Sequence, residues 1–470
     1  MSIWVSESAD VFELWRESFM TNRAKSIALA ALFCFLSMKG LVAWGQGAAR
    51  PAELSVIQFK NVKVFDGKSE SLSAATSVLV VGNKIEKIGN DIAAPEKATT
   101  IEGNGRTLMP GLIDAHWHTM MCSVPMRDLM TADASYIHLL AGREAERTLM
   151  RGFTTVRDAA GPAFGLKRAI DEGKLVGPRI YPSGAMISQT GGHGDFRQRF
   201  ELTKRGQLSR AEELGAGIVA DGVPEVTRAA REQLMLGASQ IKVASGGGVS
   251  SFYDPVDVTQ YSVDELRAAV KAADNWGTYV FVHAYTSEAI QQAVEAGVKC
   301  IDHGQLMDEE TAKLLAEKGV WLSTQPFLDD EDSNPQPDPL GRMKQLQVSQ
   351  GTDLTYRMAK KHKVKMAWGT DILFDPRSTA GQGKCLAKMV RWFEPHEVFR
   401  MATSTNAELL QLSGPRNPYP GKLGVIEAGA LADILLVEGD PLADPKLIAN
   451  PEKNLVVIMK DGVIFKNLLR

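Results

Sequence analysis

The run Leu108-Met-Pro-Gly-Leu-Ile-Asp-Ala-His116-Trp-His118 decides how the rest of the chain is interpreted. It is an apolar stretch that ends in two histidines one residue apart. Side chains alternate between the faces of a β-strand, so His116 and His118 point the same way if the stretch is a strand. Two imidazoles on one face, at the end of a buried strand, can bind one metal ion. Such a pair alone is more often structural, so its meaning depends on what the other strands supply.

The composition is that of an ordinary globular protein with a large core. The chain has 470 residues, of which 44% are hydrophobic and 23% charged. This length predicts one large barrel or two to three domains. Lys and Arg number 53 against 56 Asp and Glu, which gives a formal net charge of -3. That near balance does not indicate a nucleic-acid partner, and we predict none.

The amino-terminal region has the layout of a signal peptide. Arg23 and Lys25 precede an apolar run over residues 26–38, and small residues follow at 45–49. The apolar run is short for a bilayer span. We therefore expect residues 1–49 to be a signal region, with Met20 as a hypothetical translation start. The mature protein is expected to be periplasmic or secreted, without stable membrane insertion, and a membrane anchor is the alternative.

The cysteines do not predict a disulfide framework. Cys34 falls in the signal region, and the other three are widely spaced along the chain. Three widely spaced cysteines do not predict a set of stabilising disulfides, even if the protein is exported. Cys122 is close to the histidine pair, and we expect it to be a small buried hydrophobe.

Short alternating strands and turns dominate both ends of the chain. Between residues 55 and 105 such runs are separated by Asp-Gly and Gly-Asn turns at 66–67 and 82–83, and the same texture returns at 433–465. This pattern is typical of a small β-module. Neither piece is large enough to form a stable sheet alone. We therefore predict a small β-sandwich domain built from both chain ends, residues 50–106 and 413–470, around a central domain at 107–412.

The central region alternates apolar strands with amphipathic helices. We predict strands over residues 107–119, 153–159, 179–187, 240–245, 278–286, 299–306, 320–327 and 365–373. Helical patterns lie between them at 225–236, 264–276, 287–296 and 308–318, and glycine follows each of the four. Eight strands with helical crossovers over about 300 residues favour an α/β fold with a (β/α)8 TIM-like barrel. A doubly wound open sheet is the alternative.

Metal-competent side chains occur at the carboxyl ends of five of these strands, where a barrel keeps its active site. One of them, Lys242, lies within an apolar strand, where an ammonium must be paired, neutral or modified. Each of the others taken alone is more often a hydrogen-bonded core residue. Together they form one candidate metal site, which consists of His116, His118, Lys242, His283, His303 and Asp371.

Nearly the whole chain after residue 50 resembles the amidohydrolase superfamily of metal-dependent hydrolases. The motifs that carry the resemblance are the run at 110–118 and the closing run at 430–437. Within the superfamily, residues 187–195, 244–249 and 282–286 are most similar to the prolidase-like and imidazolonepropionase-like group. That group includes Xaa-Pro dipeptidases, carboxypeptidases acting on N-acyl amino acids and dipeptides, and ochratoxin-hydrolysing amidases.

The resemblance implies a centre for two divalent metal ions, most simply Zn²⁺. The first ion is assigned to His116, His118 and Asp371, and the second to His283 and His303. Both ions together lower the pKa of a bound water from about 15.7 to about 7. Asp371 is then expected to take the water's proton and to return it to the leaving amine.

The resemblance also implies roles for three residues around the metals. Lys242 is expected to be an N6-carboxylysine, formed with carbon dioxide or bicarbonate, that bridges both ions. His193, in a glycine-rich loop, is expected to be a catalytic residue that contacts the scissile or terminal carboxyl group of the substrate. Tyr285, two residues beyond His283, is expected to bind the substrate's carboxylate through its hydroxyl group. Related enzymes are commonly oligomeric, so we expect a homo-oligomer.

The predicted reaction is hydrolysis of an amide bond in a dipeptide or an N-acyl amino acid, ochratoxin-type amides included. One alternative is a cyclic-amide hydrolase or deaminase of the imidazolonepropionase or dihydroorotase type on the same scaffold. A binding protein that has lost catalysis is another, and it is disfavoured because all six expected site residues are present.

Loops are expected to set the substrate preference, mainly 120–136, 188–223, 250–261 and 329–350. We interpret the acidic, Pro-rich run at 329–339 as a solvated loop, although it would favour a basic substrate if it folded over the site. Arg197 and Arg199, close to His193, would instead attract a carboxylate.

Overall fold

The computed structural model describes residues 54–93, 95–202 and 206–469, and the chain from Ser55 onward forms one compact unit. The predicted signal region and Met20 lie outside the described residues. Within the described part, no helix is both long and apolar enough to cross a bilayer. Cys122, Cys300 and Cys385 are free thiols.

The strands are numbered in chain order. They are β1 (Val56–Val64), β2 (Thr76–Val81), β3 (Lys84–Gly89), β4 (Thr99–Glu102), β5 (Thr107–Pro110), β6 (Leu112–Trp117), β7 (Phe153–Asp158), β8 (Arg179–Tyr181), β9 (Met186–Ser188), β10 (Gly217–Val219), β11 (Ile241–Ala244), β12 (Val280–Thr286), β13 (Cys300–Leu306), β14 (Trp321–Thr324), β15 (Met366–Trp368), β16 (Ile434–Val437), β17 (Leu455–Lys460) and β18 (Val463–Asn467).

Helices connect most of the strands. The α-helices are Met126–Thr131, Ala134–Met150, Phe164–Asp171, Arg210–Leu214, Gly222–Leu236, Val263–Asn275, Ser287–Ala296, Glu309–Lys318, Pro339–Lys361, Gln382–Ala387, Pro395–Arg400, Asn406–Leu410 and Pro451–Asn454.

Strands from both ends of the chain join in one eight-stranded sheet. Its order is β18-β17-β16-β5-β1-β2-β3, with β4 paired to β1. Strand β16 runs antiparallel to β5 and places Leu435 opposite Met109. The two chain ends therefore meet in one sheet, and its arrangement as a two-layer sandwich stays a prediction.

The central strands are parallel and form two sheets. One is β6-β7-β8 and the other is β10-β9-β11-β12-β13-β14-β15. The Asn406 side chain spans the gap between β6 and β15, because its Nδ2 donates to Ile113 O and to Trp368 O, each at 2.8 Å. No strand ladder joins the two sheets within the described ranges. The α/β class is confirmed, whereas a single closed (β/α)8 ring stays a prediction.

Two of the predicted strands are each divided between two sheets. The first, 107–119, breaks at Gly111, where a Cβ atom would lie 2.1 Å from Thr154 Oγ1. Strand β5 before the break belongs to the terminal sheet and β6 after it to the central one. The predicted strand 179–187 divides into β8 and β9, with Gly184 between them at a φ of +75°. Pro110-Gly111 and Pro182-Ser183-Gly184 are turn signals at the two breaks, and the prediction of one continuous strand at each place did not take them into account.

The helix Pro339–Lys361 corrects the loop predicted at 329–350. Its N-cap, Asp338, accepts a hydrogen bond from Gly341 N at 2.7 Å, and proline occupies the first helical position. This Asp-Pro start is a recognised helix signal, which the charge and proline content of the preceding run obscured. Only the first half of the segment is therefore irregular.

Candidate metal centre and active site

The carboxyl ends of the parallel strands converge on one cavity of about 490 Å³. Eight side chains named from the sequence line it, and these are His116, His118, Lys242, His283, His303, Asp371, His193 and Tyr285. Because they come from six strands or the loops after them, the fold rather than local sequence brings them together.

Two histidines and one carboxylate form the tightest cluster in the cavity. Asp371 Oδ1 lies 3.2 Å from His116 Nε2 and 3.0 Å from His118 Nε2. One donor atom from each of the three residues lies within 4.8 Å of the others. The three residues are therefore spaced as ligands of one cation.

A buried ion pair stands behind this cluster. His116 Nδ1 lies 2.6 Å from Asp302 Oδ2, and both oxygens of Asp302 accept from Arg157 Nη2 at 2.9 and 2.7 Å. Asp302 thus holds the Nδ1 proton of His116 and leaves its Nε2 directed at Asp371. Neither Arg157 nor Asp302 was singled out from the sequence. Their signal was a charged residue inside each of two otherwise buried strands.

The other two histidines are each tied through one ring nitrogen. His283 Nε2 lies 3.0 Å from Gly247 O, and His303 Nδ1 lies 2.7 Å from Gln325 Oε1. A carbonyl oxygen only accepts hydrogen bonds, so both of these ring nitrogens carry the proton. The lone pairs therefore sit on His283 Nδ1 and His303 Nε2, where they are available to a metal ion.

Lys242 differs from the other residues of the centre because it is a buried lysine. Its side chain is buried, its ammonium lies 4.9 Å from the Phe281 ring, and Nζ has no hydrogen-bond partner among the described residues. Burial lowers the pKa of Lys242, although Asp302 and Asp371 act in the opposite direction. An unpartnered amine of this kind is costly unless it is neutral or chemically modified.

Two residues of the centre adopt backbone conformations that are rare outside glycine. His303 has a φ of +85° and Asp371 a φ of +56°. A 2.8 Å hydrogen bond from Asp371 N to His116 O holds the backbone of Asp371 in this conformation. In a regular strand Asp302 and His303 would face opposite sides, but the turn at His303 lets both reach His116.

The charges of the centre suit a cation. Burial alone would raise the pKa of Asp371, but His116 and His118 outweigh it and hold that pKa well below the usual range. Burial lowers the pKa values of His283 and His303 well below the usual imidazole value. An ionised carboxylate and neutral imidazoles are the forms in which these side chains bind metals.

His193 and Tyr285 face the cavity beside His283. The His193 ring stacks on that of His283, with centroids 3.9 Å apart, and its Nδ1 lies 3.0 Å from Ser251 Oγ. Burial lowers the pKa of His193 to about 4. The Tyr285 ring lies edge-on to His283 at 4.8 Å, and burial raises its pKa well above 10, so the phenol stays protonated. Both side chains are therefore neutral hydrogen-bonding groups at physiological pH.

One wall of the cavity is apolar and was not predicted as a unit. Phe196 and Phe374 pack edge to face with ring centroids 6.1 Å apart. The side chains that form this apolar wall are Met121, Met186, Phe196, Ile372 and Phe374. They come from strand β9 and from three separate loops, and only the fold shows that they share one surface.

The acidic run both faces solvent and borders the cavity, through Asp330 and Asp332. Three of its carboxylates pair with the chain's own cations, and among these pairs Lys388 Nζ lies 2.7 Å from Asp330 Oδ2 and 3.2 Å from Asp332 Oδ2. Arg342 likewise binds Asp329 at 2.5 Å. The pairing of these three carboxylates weakens the case for a basic substrate.

Arg197, which was expected to attract a carboxylate, is engaged within the chain. Its Nη2 lies 2.6 Å from Asp195 Oδ2 and its Nε 2.7 Å from Asp195 Oδ1. This paired guanidinium is not among the cavity-lining residues.

The amidohydrolase family model matches residues 107–465 of the chain. Ochratoxinase from Aspergillus niger is 33% identical over 424 residues, which cover 85% of this chain and 84% of the relative. The region of similarity therefore spans the cavity and the carboxyl-terminal strands.

Solved structures agree with the sequence similarity. A prolidase in complex with N-methylphosphonate-L-proline superposes with a TM-score of 0.79 at 33% identity, over 88% of this chain and 100% of the other. A Xaa-Pro dipeptidase with bound methionine has a TM-score of 0.75 at 30% identity, with the same shares covered.

Proposed function

The chain belongs to the amidohydrolase family and is a hydrolase that acts on amide bonds, and from this premise we propose a substrate and a centre. The substrate is a dipeptide or an N-acyl amino acid, ochratoxin-type amides included. The centre holds two divalent ions, most simply Zn²⁺. The observation that carries the proposal is the His116, His118 and Asp371 cluster, which shares a cavity with the unpartnered Lys242 amine.

The residues present fit such a centre. His116, His118 and Asp371 would hold one ion, and the free lone pairs of His283 and His303 would hold the other. Two ions bound there would activate a water molecule and polarise the scissile carbonyl.

A modified Lys242 would complete the centre. A neutral amine adds to carbon dioxide, forming a carbon–nitrogen bond and releasing one proton, and the product is a carbamate anion. Such an anion would bridge the two sites and would remove the cost of a buried unpartnered amine. The buried Nζ inside this cavity supports that assignment.

Asp371 is the proton carrier in this account. Its ionised carboxylate accepts the proton that the attacking water loses, and the same carboxyl group then gives that proton to the leaving nitrogen. His193 and Tyr285 line the cavity as neutral hydrogen-bonding groups and orient the substrate. No serine or cysteine nucleophile is required.

The apolar wall narrows the substrate class. A group of large apolar side chains in the same cavity as His118 and His193 favours an amide that carries a bulky apolar or aromatic substituent. The internal pairing of the acidic run gives no reason to expect a basic substrate, and the Arg197 guanidinium is already paired with Asp195.

Three further properties are part of the proposal. The two parallel sheets are arcs of a (β/α)8 barrel, supported by the side-chain bridge of Asn406 between β6 and β15. The protein is exported, supported by the signal-like pattern at residues 23–49. It assembles as a homo-oligomer, an expectation that rests on the family resemblance alone.

A substrate panel tests the proposal. Purified protein reconstituted with zinc and bicarbonate is assayed on N-acetyl and N-benzoyl amino acids, Xaa-Pro dipeptides and cyclic amides. We expect hydrolysis of linear amides, fastest for large apolar residues, and loss of activity with a chelator. Hydrolysis of ring substrates alone would favour the cyclic-amide alternative.

A further inference from the structure

We propose that Lys344 is a positioning residue for His193, which it holds toward the substrate by fixing the backbone of residues 248–251. The inference rests on the proposed function, in which His193 contacts the substrate. Lys344 lies on the helix Pro339–Lys361, within the segment whose sequence suggested an acidic loop.

Lys344 is a buried cation with backbone partners. Its side chain is 4% exposed, and Nζ donates to Gly248 O at 3.1 Å and to Ser251 O at 3.2 Å. No carboxylate forms an ion pair with it within the described ranges. Burying an ammonium is costly unless its protons are hydrogen-bonded, so the two carbonyl contacts define where this side chain can sit.

The backbone that Lys344 holds is in direct contact with His193. A Cβ atom at Gly248 would lie 1.9 Å from His193 Nδ1, so the imidazole rests against a backbone that only glycine can provide. Ser251 Oγ lies 3.0 Å from the same nitrogen. On the other side, Asp254 Oδ2 accepts from Gly248 N at 2.8 Å. The ring therefore sits between His283 and a segment that Lys344 and Asp254 fix together.

The Ser251 hydroxyl group lies between Gly248 and His193. Ser251 has a single hydroxyl proton and two acceptors within reach, Gly248 O at 3.1 Å and His193 Nδ1 at 3.0 Å. That proton is donated to Gly248 O, which has two lone pairs and also accepts from Lys344 Nζ, so this carbonyl joins Lys344 to the hydroxyl group that contacts the imidazole.

A double-mutant cycle tests the inference with N-benzoyl-L-phenylalanine as the probe. Lys344→Met should lower kcat/KM by up to about a hundredfold, since a displaced orienting group weakens productive binding of the transition state. Lys344→Arg should recover most of the loss. Lys361→Met, on the exposed end of the same helix, is the matched control and should change nothing.

Combining Lys344→Met with His193→Ala distinguishes a positioning role of Lys344 from a general disturbance of the structure. If Lys344 acts through His193, the double variant should be no slower than His193→Ala alone. If the double variant shows the product of the two single losses in kcat/KM, the inference is overturned. A Lys344→Met variant with wild-type kcat/KM would also overturn it. Ser251→Ala, which removes the hydroxyl between the two residues, serves the same cycle if Lys344→Met does not fold.

Hydrogen exchange provides a readout without turnover. In Lys344→Met, amides at 246–253 and 190–195 should exchange faster, while those of the helix 287–296 stay unchanged. Unchanged exchange at 190–195 would overturn the inference. Wild-type protein that hydrolyses no amide would instead refute the proposed function, and the exchange experiment would then decide the inference alone.

Discussion

The guanidinium of Arg157 binds both carboxylate oxygens of Asp302, and both side chains are fully buried behind the candidate metal centre. Burial alone would raise the pKa of Asp302, but Arg157 and His116 outweigh it and keep the carboxylate ionised. The carboxylate in turn fixes His116 through Nδ1. The orientation of a ligand from β6 thus depends on charges from β7 and β13.

Replacing Asp302 tests this dependence. Asp302→Asn should weaken zinc binding by about ten- to a hundredfold, because an outer partner that orients a ligand histidine is lost. Zinc affinity is measured by competition with a chelating dye, at a temperature where circular dichroism shows the variant folded. An unchanged affinity would mean that His116 is held without Asp302.

Lys242 should determine whether the second proposed site, at His283 and His303, retains a metal ion. Wild-type protein reconstituted with zinc and bicarbonate should hold about two ions per chain, and Lys242→Met about one, since the bridging anion is absent. Metal content after dialysis is measured by mass spectrometry. A Lys242→Met variant that retains the wild-type content would contradict the bridging role.

Phe196 should set the preference for large apolar substrates. Phe196→Ala removes a ring from the apolar wall and should lower kcat/KM for N-benzoyl-L-phenylalanine by about tenfold relative to N-benzoylglycine. Leu139→Ala, at a highly exposed surface position, is the control. An equal effect on both substrates would show that the wall does not contact the variable group.

Arg179 should link the central strands to the terminal sheet. It lies on β8, and its guanidinium binds the buried Asp433 at 3.0 Å and Asp461 at 2.7 Å. Arg179→Met leaves Asp433 as an uncompensated buried charge, so the free energy of unfolding should fall by about 3–5 kcal/mol in urea titrations. Arg168→Met breaks an exposed pair instead and should leave the unfolding midpoint unchanged. Equal effects of the two variants would contradict the linking role.

The composition of the candidate site could be predicted because it follows from two simple regularities. Side chains alternate along a strand, which places His116 with His118 and His283 with Tyr285. The carboxyl ends of parallel strands meet at one edge, so residues far apart in sequence gather there. Both regularities can be applied without knowing any contact.

Other parts of the site depend on local exceptions to those regularities. Asp302 and His303 are adjacent yet reach the same imidazole, because His303 adopts a positive φ that a strand pattern does not reveal. Lys344 lies in a helix whose start was hidden by an acidic, proline-rich run. The sheet change at Gly111 depends on its close approach to Thr154, a contact between distant segments.

The most direct test of the account is the activity of Asp371→Asn supplied with excess zinc and bicarbonate. The substitution keeps the shape of the side chain and removes the group that accepts and returns the proton. On the best linear amide of the panel, kcat should fall by about a thousandfold or more while the thermal unfolding midpoint stays close to that of the wild type. A folded Asp371→Asn protein that retains wild-type kcat would contradict the proposed centre.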